Sequence, residues 1–376
     1  MGPIKKSVGL ITMHRVLNPG SALQAYALQR KVLELGYHCE IIDYVFPNNR
    51  HRPKDRVKNR LKRNGRAFLS NLRWGFAPAI RKKRFQHFYD RCFSLSQQSY
   101  RCFEDIHNNP PSYDIYLTGS DQVWNPKHIK DDCTFFLSFC NQTKSPRIAF
   151  AASFATNYIP EELRDLYARH LASYNRISVR EKSGIKLVSD LTGQKAEVVC
   201  DPTLLLDRNE WSRLAELSSI KIKHPYILAY VLNYAFNPHP QVDGMIEQVQ
   251  ARLNMPVVYL NGRLADIRKK NSCVIKKAGP CEFLWLFRHA DFILTTSLHG
   301  TAFALNFSKP FCSVIENAQN DSRILSLLQL VGEEDRAKTI ESSNIEANIM
   351  YHKPLDSPLK ELKSNSLTFL ENALRC

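Results

Sequence analysis

Short apolar runs, each closed by a polar turn and most followed by residues at helical spacing, recur along this chain. Few folds other than parallel α/β sheets accommodate that alternation. Val8–Met13 leads into the turn Asn18-Pro19-Gly20-Ser21 and then into Leu23–Leu35, whose apolar residues share a helical face; Gly36 ends it before the next run, Glu40–Tyr44. The same order returns at Tyr113–Thr118, Arg147–Ser153, Arg176–Arg180 and Glu197–Pro202. Beyond Leu206 the chain becomes charged and helical, and Lys221–Pro225 separates it from Tyr226–Leu232, the expected first strand of a second domain. Further strands are expected at Pro256–Leu260, Asp291–Thr296 and Phe311–Ile315, with helices at Glu247–Leu253, Cys281–Arg288 and Gly300–Asn306. We therefore expect two Rossmann-like α/β domains facing across a cleft: residues 1–220, carrying a helical insert at 46–110, and residues 221–345. A helical tail, 346–376, is expected to return to the first domain through the amphipathic stretch Leu359–Leu374.

A length of 376 residues suits two such domains at roughly 150 residues each. The net charge of +16 is concentrated: residues 50–91 hold 15 Lys/Arg against Asp55 and Asp90, a local +13, so the other 334 residues carry +3. The ten cysteines form no C-x-x-C pair and have no His partner at finger spacing, so neither a disulfide framework nor structural zinc is expected. No stretch approaches the ~20 apolar residues of a membrane span, and the apolar run after Lys5-Lys6 is too short for a signal peptide. These features point to a reduced, cytoplasmic protein.

In open parallel sheets, ligands bind beyond the carboxyl ends of the strands, where helix N-termini gather. That rule selects a few turns. Ser297-Leu298-His299-Gly300 lies where a strand becomes a helix, so His299 either serves there as a proton donor or merely caps the helix; Ser297 and Thr301 have the same capping use. Arg180 ends a strand, where a guanidinium clamps a carboxylate or phosphate, or pairs with an acid such as Glu181. Asn18, Gly20 and Ser21 open a helix and either present N–H groups to an anion or form an ordinary turn. Asp121, Gln122, Trp124 and Asn125 put an acid, two amides and an aromatic ring in one loop, which suits a sugar if Trp124 is not simply core. No phosphate-binding glycine loop, dinucleotide fingerprint or metal-ligand motif is present.

Together, Gly20–Leu28, Gly119–Asn125, Arg147–Phe154, Val179–Ser183, Asp201–Thr203 and Ser297–Phe303 resemble, in order, the polysaccharide pyruvyl transferase family. The resemblance implies a GT-B-like pair of Rossmann-type domains and transfer of pyruvate from phosphoenolpyruvate to two hydroxyls of a sugar, with no cofactor or metal. It makes His299 the general acid and Arg180 a phosphoenolpyruvate clamp, and Asp121 is the candidate hydroxyl base. Family members can carry Arg two residues before this His; Ser297 stands there, leaving Lys309 and Arg323 as candidates for the second clamp. Gln122, Trp124, Asn125, Gly300 and Thr301 complete the expected substrate-binding set. Likewise Pro19 replaces a common Tyr.

Within the basic segment, Val57, Leu61, Phe68 and Leu72 share one helical face, and Phe85, Phe88, Tyr89 and Cys92 repeat the pattern beside Arg81–Arg84. Basic amphipathic helices lie on anionic membranes, where a lipid-linked oligosaccharide acceptor would be found; otherwise the apolar face packs on the first domain. No nucleic-acid module accompanies the charge. Two other functions compete with pyruvyl transfer: a GT-B glycosyltransferase using a nucleotide sugar, and a non-enzymatic basic scaffold on membrane or RNA.

Overall fold

The computed structural model describes residues 5–47, 74–129, 132–140, 143–317, 322–342, 345 and 356–375. Two compact units emerge, one built from residues 1–65, 89–205 and 361–376, the other from 66–88 and 206–360. The boundary falls before the helix at 208–215, which the sequence reading had left in the first domain. Residues 66–88 of the expected insert group with the second unit.

In the first unit, the main described elements are β1 (Ser7–Ile11), α1 (Pro19–Glu34), β2 (His38–Tyr44), the last four residues of the helix α2 (Ala77–Cys92), β3 (Leu95–Tyr100), β4 (Ile115–Thr118), β5 (Arg147–Ala152), α3 (Glu161–Leu171), β6 (Arg176–Val179), α4 (Lys182–Thr192) and β7 (Glu197–Val198). They form an all-parallel sheet of order β3-β2-β1-β4-β5-β6-β7. Helices cover both faces, so the central strands are buried throughout and read as continuous apolar runs: Leu10 pairs with Ile41 on one side and Leu117 on the other. Asn18 caps α1, its side-chain oxygen accepting from the Gly20 N–H at 2.9 Å, with Pro19 at the first helical position. Gly193, at φ +71, ends α4 in the left-handed conformation.

The second unit contains α5 (Arg208–Ala215), β8 (Ile227–Tyr230), α6 (Gln241–Leu253), β9 (Val257–Leu260), β10 (Ser272–Ile275), α7 (Pro280–His289), β11 (Phe292–Thr295), α8 (Leu298–Asn306), β12 (Phe311–Ile315), α9 (Ser322–Val331) and β13 (Ala337–Thr339). Its sheet is again parallel, in the order β10-β9-β8-β11-β12-β13. The chain winds outward from β1 to β3 and then restarts at β4; in the second unit it winds from β8 to β10 and restarts at β11. Each sheet therefore has a topological switch point, at β1/β4 and at β8/β11, the places where such folds leave a ligand crevice.

The last helix, α10 (Asp356–Leu374), packs Phe369, Leu370, Ala373 and Leu374 into the core of the first unit beside Val8, Ile41 and Phe150. Burying each of the larger side chains is worth about 1.5–3 kcal/mol. Ser366 Oγ accepts from the Cys200 N–H, and Tyr37 donates to the Leu374 carbonyl, which fixes the helix in register.

Helix α2 corrects one expectation. Phe85, Phe88 and Tyr89 are buried within the protein, so these rings are not offered to a membrane, whereas Phe76 and Ile80 of the same half are exposed. Arg84 is held by the Lys277 carbonyl, Ser219 and Glu282, and Gly279 permits the approach, since a Cβ there would lie 2.6 Å from that of Arg84. Val57, Leu61, Phe68 and Leu72 fall outside the described residues.

Buried thiols are held neutral: desolvation pushes Cys140 up to about 11 and Cys200 and Cys312 up to about 12. One buried carboxylate, Asp43 at the end of β2, receives His14 Nε2 at 3.0 Å and Arg15 Nε and Nη2 at 2.7 and 2.5 Å. Burial alone would raise its carboxyl; the hydrogen bonds and charges of His14 and Arg15 overcome that and hold it well below the ordinary carboxylate range. A depressed carboxyl contributes stability above its unfolded pKa of about 3.9, and loses it as pH falls toward the folded value. Asp43→Asn should therefore cost about 3 kcal/mol in urea unfolding at pH 7 and progressively less below about pH 4. An Asn penalty that stays constant between pH 7 and pH 3 contradicts this account.

Candidate functional site

In the first unit, the turn after β4 is shaped by a single close approach. A side chain at Gly119 (φ +133) would place its Cβ 2.0 Å from the Phe150 carbonyl oxygen, so only glycine fits. Ser120 is then tied to three elements: its N–H donates to Gln24 Oε1 of α1 at 3.0 Å, its hydroxyl to the Ala151 carbonyl at 2.7 Å, and its carbonyl accepts from Thr12 at 3.2 Å. Gln24 also donates to Thr12 Oγ1 at 2.8 Å, knotting α1 to the end of β1.

This knot delivers Asp121, itself at φ +70, to the first turn of α1. Ser21 donates to Asp121 Oδ2 at 2.5 Å, and the Gln122 N–H donates to Oδ1 at 2.9 Å. A carboxylate thus occupies the positive end of α1, and Gly20's N–H is already used by the Asn18 cap. The turn 18–21 does not hold its groups open for an anion, as one reading of the sequence had it.

Arg180, beyond β6, is buried beside the same carboxylate. Its Nη2 lies 3.8 Å from Asp121 Oδ1 and its Nη1 donates to Asp201 Oδ2 at 2.6 Å, while the buried Nε has no hydrogen-bond partner among the described residues. Asp201 is in turn held by the Thr203 N–H and hydroxyl at 3.0 and 2.7 Å. The acid paired with Arg180 is Asp201, not Glu181. Glu181 is fully buried and turns the other way: its Oε1 accepts from Ser153 Oγ and from the Phe154 and Ala155 N–H groups at 2.9–3.1 Å, pinning the turn beyond β5. Two carboxylates surround one guanidinium, so this cluster favours hydroxyl donors over a phosphate dianion.

The expected stacking surface needs correction. Trp124 is completely buried, stacked on Phe136 at 5.7 Å between ring centroids and edge-on to Tyr174, in the core beneath the sheet end. Its bulk anchors the loop; it presents no face to a sugar. Asn125 is nearly buried, donating to Gln122 Oε1 at 2.7 Å and accepting from the Lys127 N–H at 3.0 Å, which leaves one amide hydrogen and one lone pair unspent by these bonds.

In the second unit, β11 ends in Thr295-Thr296 and the chain turns into α8. Thr295 and Thr296 bond the carbonyls of Tyr230 and Leu232 at 2.9 Å, closing the seam between β8 and β11. Ser297 caps α8 by accepting from the Gly300 N–H at 3.3 Å. Gly300 is obligatory, because a Cβ would lie 2.3 Å from Thr295 Oγ1. His299 therefore sits in the first turn of α8 at the β8/β11 switch point, 8% exposed. Thr301 is wholly buried against the Ser297 carbonyl and Ser313, so Ser297, Gly300 and Thr301 build the turn that carries His299.

The two candidates for a second cation separate cleanly. Lys309 follows α8 at its far end and precedes β12, at the amino edge of the sheet; nine helical residues, about 14 Å of rise, lie between the ends of α8. Lys309 therefore cannot serve the turn that holds His299. Arg323, near the start of α9 after β12, belongs to the carboxyl edge with His299. Among the described residues, no group of three or more His, Cys, Asp or Glu side chains is arranged to hold a metal ion, and no helix is long and apolar enough to cross a membrane.

The fold is similar to that of the UDP-GlcNAc 2-epimerase from Methanocaldococcus jannaschii, solved in complex with UDP-GlcNAc and UDP (TM-score 0.57, 13% identity, 99% of this chain and 100% of that one). It is also similar to the UDP-N-acetylglucosamine 2-epimerase from Rickettsia bellii (TM-score 0.51, 9% identity, 99% and 96%). At these identities the likeness concerns architecture: two parallel α/β sheets of GT-B-like type. No curated protein sequence matches the chain. The sequence profile of one family does match, over residues 18–318, a span that takes in both switch-point turns. The chain belongs to the polysaccharide pyruvyl transferase family.

Proposed function

We propose that this protein transfers the pyruvyl group of phosphoenolpyruvate to two hydroxyls of a sugar in the assembly of a surface polysaccharide, forming a cyclic ketal. The observation that carries the reading beyond the family is the imidazole at the first turn of α8, seated by Ser297 and Gly300 where the second sheet switches direction. The chemistry needs one proton donor at carbon. His299 gives a proton to C3 of the enol, one sugar oxygen bonds to C2 as its own proton leaves to a base, and the second oxygen then displaces inorganic phosphate. The two hydroxyl protons are balanced by one delivered to the new methyl group and one carried by the departing phosphate.

Asp121 is the base on this reading, because its carboxylate keeps lone pairs beyond those used by Ser21 and Gln122. Arg180, its charge matched by Asp201, positions Asp121. The phosphate falls to Arg323 in preference to Lys309 on the positions just described. A nucleotide-sugar transferase remains the competing enzyme. It is favoured only by the shared architecture, which is common to many chemistries.

Three measurements test this. Purified protein, phosphoenolpyruvate and a lipid-linked glycan in D2O should release phosphate and yield a carboxylated product with deuterium in its methyl group. Turnover of a nucleotide sugar instead would sink the transferase reading. His299→Ala should lower kcat by about 10²–10⁴-fold with its thermal unfolding unchanged. Arg323→Met should raise KM for phosphoenolpyruvate by roughly tenfold or more, whereas Lys309→Met should leave it near wild type.

Residues 50–91 supply a separate role, docking at the anionic inner face of the cytoplasmic membrane where such an acceptor is held. With Phe85, Phe88 and Tyr89 buried, charge carried in part by the exposed Lys82, Lys83 and Arg91 is the main attraction for the α2 half, beside the exposed Phe76 and Ile80. Vesicles containing phosphatidylglycerol should sediment the protein at about 0.1 M salt and release it near 1 M, as the Debye length falls from about 10 to about 3 Å. Attachment that persists at high salt contradicts an electrostatic mode.

A further inference from the structure

The loss of Trp124 as a stacking surface leaves the first unit without an aromatic ring for a sugar at the expected position. The structure supplies another. A groove of about 480 Å³ lies where the turns beyond β4 and β5 meet the start of α3, with Asn125 and Pro126 on one side and Tyr158, Pro160, Leu163 and Leu166 on the other. Its volume is that of a small-molecule site. Leu163 and Leu166 pack on the hydrophobic core from one side and line the groove with the rest of their surface, and Tyr158 is 64% exposed. An apolar strip ending in a nearly buried amide with one hydrogen and one lone pair to spare suits a pyranose ring, whose C–H face is apolar and whose hydroxyls both donate and accept.

The surroundings narrow the occupant. Among the described residues, the charged groups lining the groove are Lys127 and Glu162, one of each sign, a balance that does not select for a nucleotide or a polyanion. The groove lies beyond β4 and β5, which are central strands paired on both sides, so no sheet edge is available for an extended peptide to join. Continuity with the site is covalent and hydrogen-bonded: the same turn carries Asp121, Gln122 and Asn125, linked through the Gln122 side chain and N–H.

We propose that this groove is an acceptor subsite, in which Tyr158 stacks on a neutral pyranose ring of the glycan and Asn125 bonds its hydroxyls. The assignment rests on the transferase reading for its meaning, since the ring seated here belongs to the molecule that Asp121 would deprotonate. Tyr158 is then a specificity residue that does not touch the reacting atoms.

Saturation-transfer NMR on the full chain tests it without turnover, using the methyl glycosides of glucose, galactose and mannose at millimolar concentration, with a neutral proline-rich peptide as the alternative occupant. At least one glycoside should show transfer to its ring protons. Tyr158→Ala should weaken that binding roughly five- to tenfold and Tyr158→Trp should restore it, with phosphoenolpyruvate binding unchanged in both. Because Tyr158 is exposed, neither variant should alter the thermal unfolding midpoint, and circular dichroism checks this. Absence of transfer to all three sugars, equal transfer in wild type and Tyr158→Ala, or transfer to the peptide alone overturns the assignment. Phosphate release from phosphoenolpyruvate separates the two claims. Sugar binding through Tyr158 without phosphate release defeats the transfer chemistry and keeps the groove. Phosphate release with an acceptor KM untouched by Tyr158→Ala defeats the groove alone.

Discussion

The carbonyl oxygen of Phe150 leaves no room for a side chain at residue 119, and much of the first unit's candidate site follows from that exclusion. With glycine there, the chain leaves β4 at φ +133, Ser120 reaches α1, β5 and the end of β1 through three hydrogen bonds, and Asp121 is turned onto the N-terminus of α1. None of these contacts needs to be strong. Each satisfied buried hydrogen bond contributes about 1 kcal/mol, but leaving one of its partners unpaired costs the desolvation of a polar group, so the bonds stand or fall together. A carboxylate held this way keeps its orientation without a substrate to arrange it.

The second unit reaches the corresponding place in its sheet by a different device. Its turn is built from small residues: Gly300 under Thr295, Ser297 as cap, Thr301 against Ser313, with His299 carried at the edge of that packing. The first unit brings together carboxylates and one guanidinium; the second brings an imidazole. The carboxylates and the imidazole therefore arise in separate environments, each built by its own turn.

Much of the architecture was legible because parallel strands buried on both faces must be apolar along their whole length. Ile115–Thr118, Arg147–Ala152 and Phe292–Thr295 betray themselves in that way. The strands that escaped detection are those without that requirement. β3 (Leu95–Tyr100), β10 (Ser272–Ile275) and β13 (Ala337–Thr339) are sheet edges, partly exposed and either polar, as in the Ser and Gln of β3, or only three or four residues long, and they pair on one side only. The turns that carry His299, Asp121 and Arg180 could be picked out because strand ends are where ligands bind in such sheets. Which side chains are spent inside the fold could not, since it depends on partners distant in sequence: Arg180 meets Asp201, Ser21 meets Asp121 across 100 residues, and Trp124 faces Phe136. Tyr158 offered no local signal; its exposure depends on how the turn beyond β5 lies over α3.

The uneven charge acquires a physical division from the structure. Thirteen of the sixteen excess charges belong to residues 50–91, while the Arg180 cluster carries more negative than positive groups. A donor dianion attracted only by the first unit would meet two carboxylates before one guanidinium. On the proposed transferase reading, the donor phosphate is thus better matched to the second unit, and the excess positive charge is left for a larger anionic surface. The burial of Phe85, Phe88 and Tyr89 argues the same way, because α2 has spent these rings on the protein and keeps Lys82, Lys83 and Arg91 in water. Phe76, 84% exposed just before α2, and the exposed Ile80 on it remain in water beside those charges, so on the proposed docking reading charge attracts the segment and a short apolar contact adds to it.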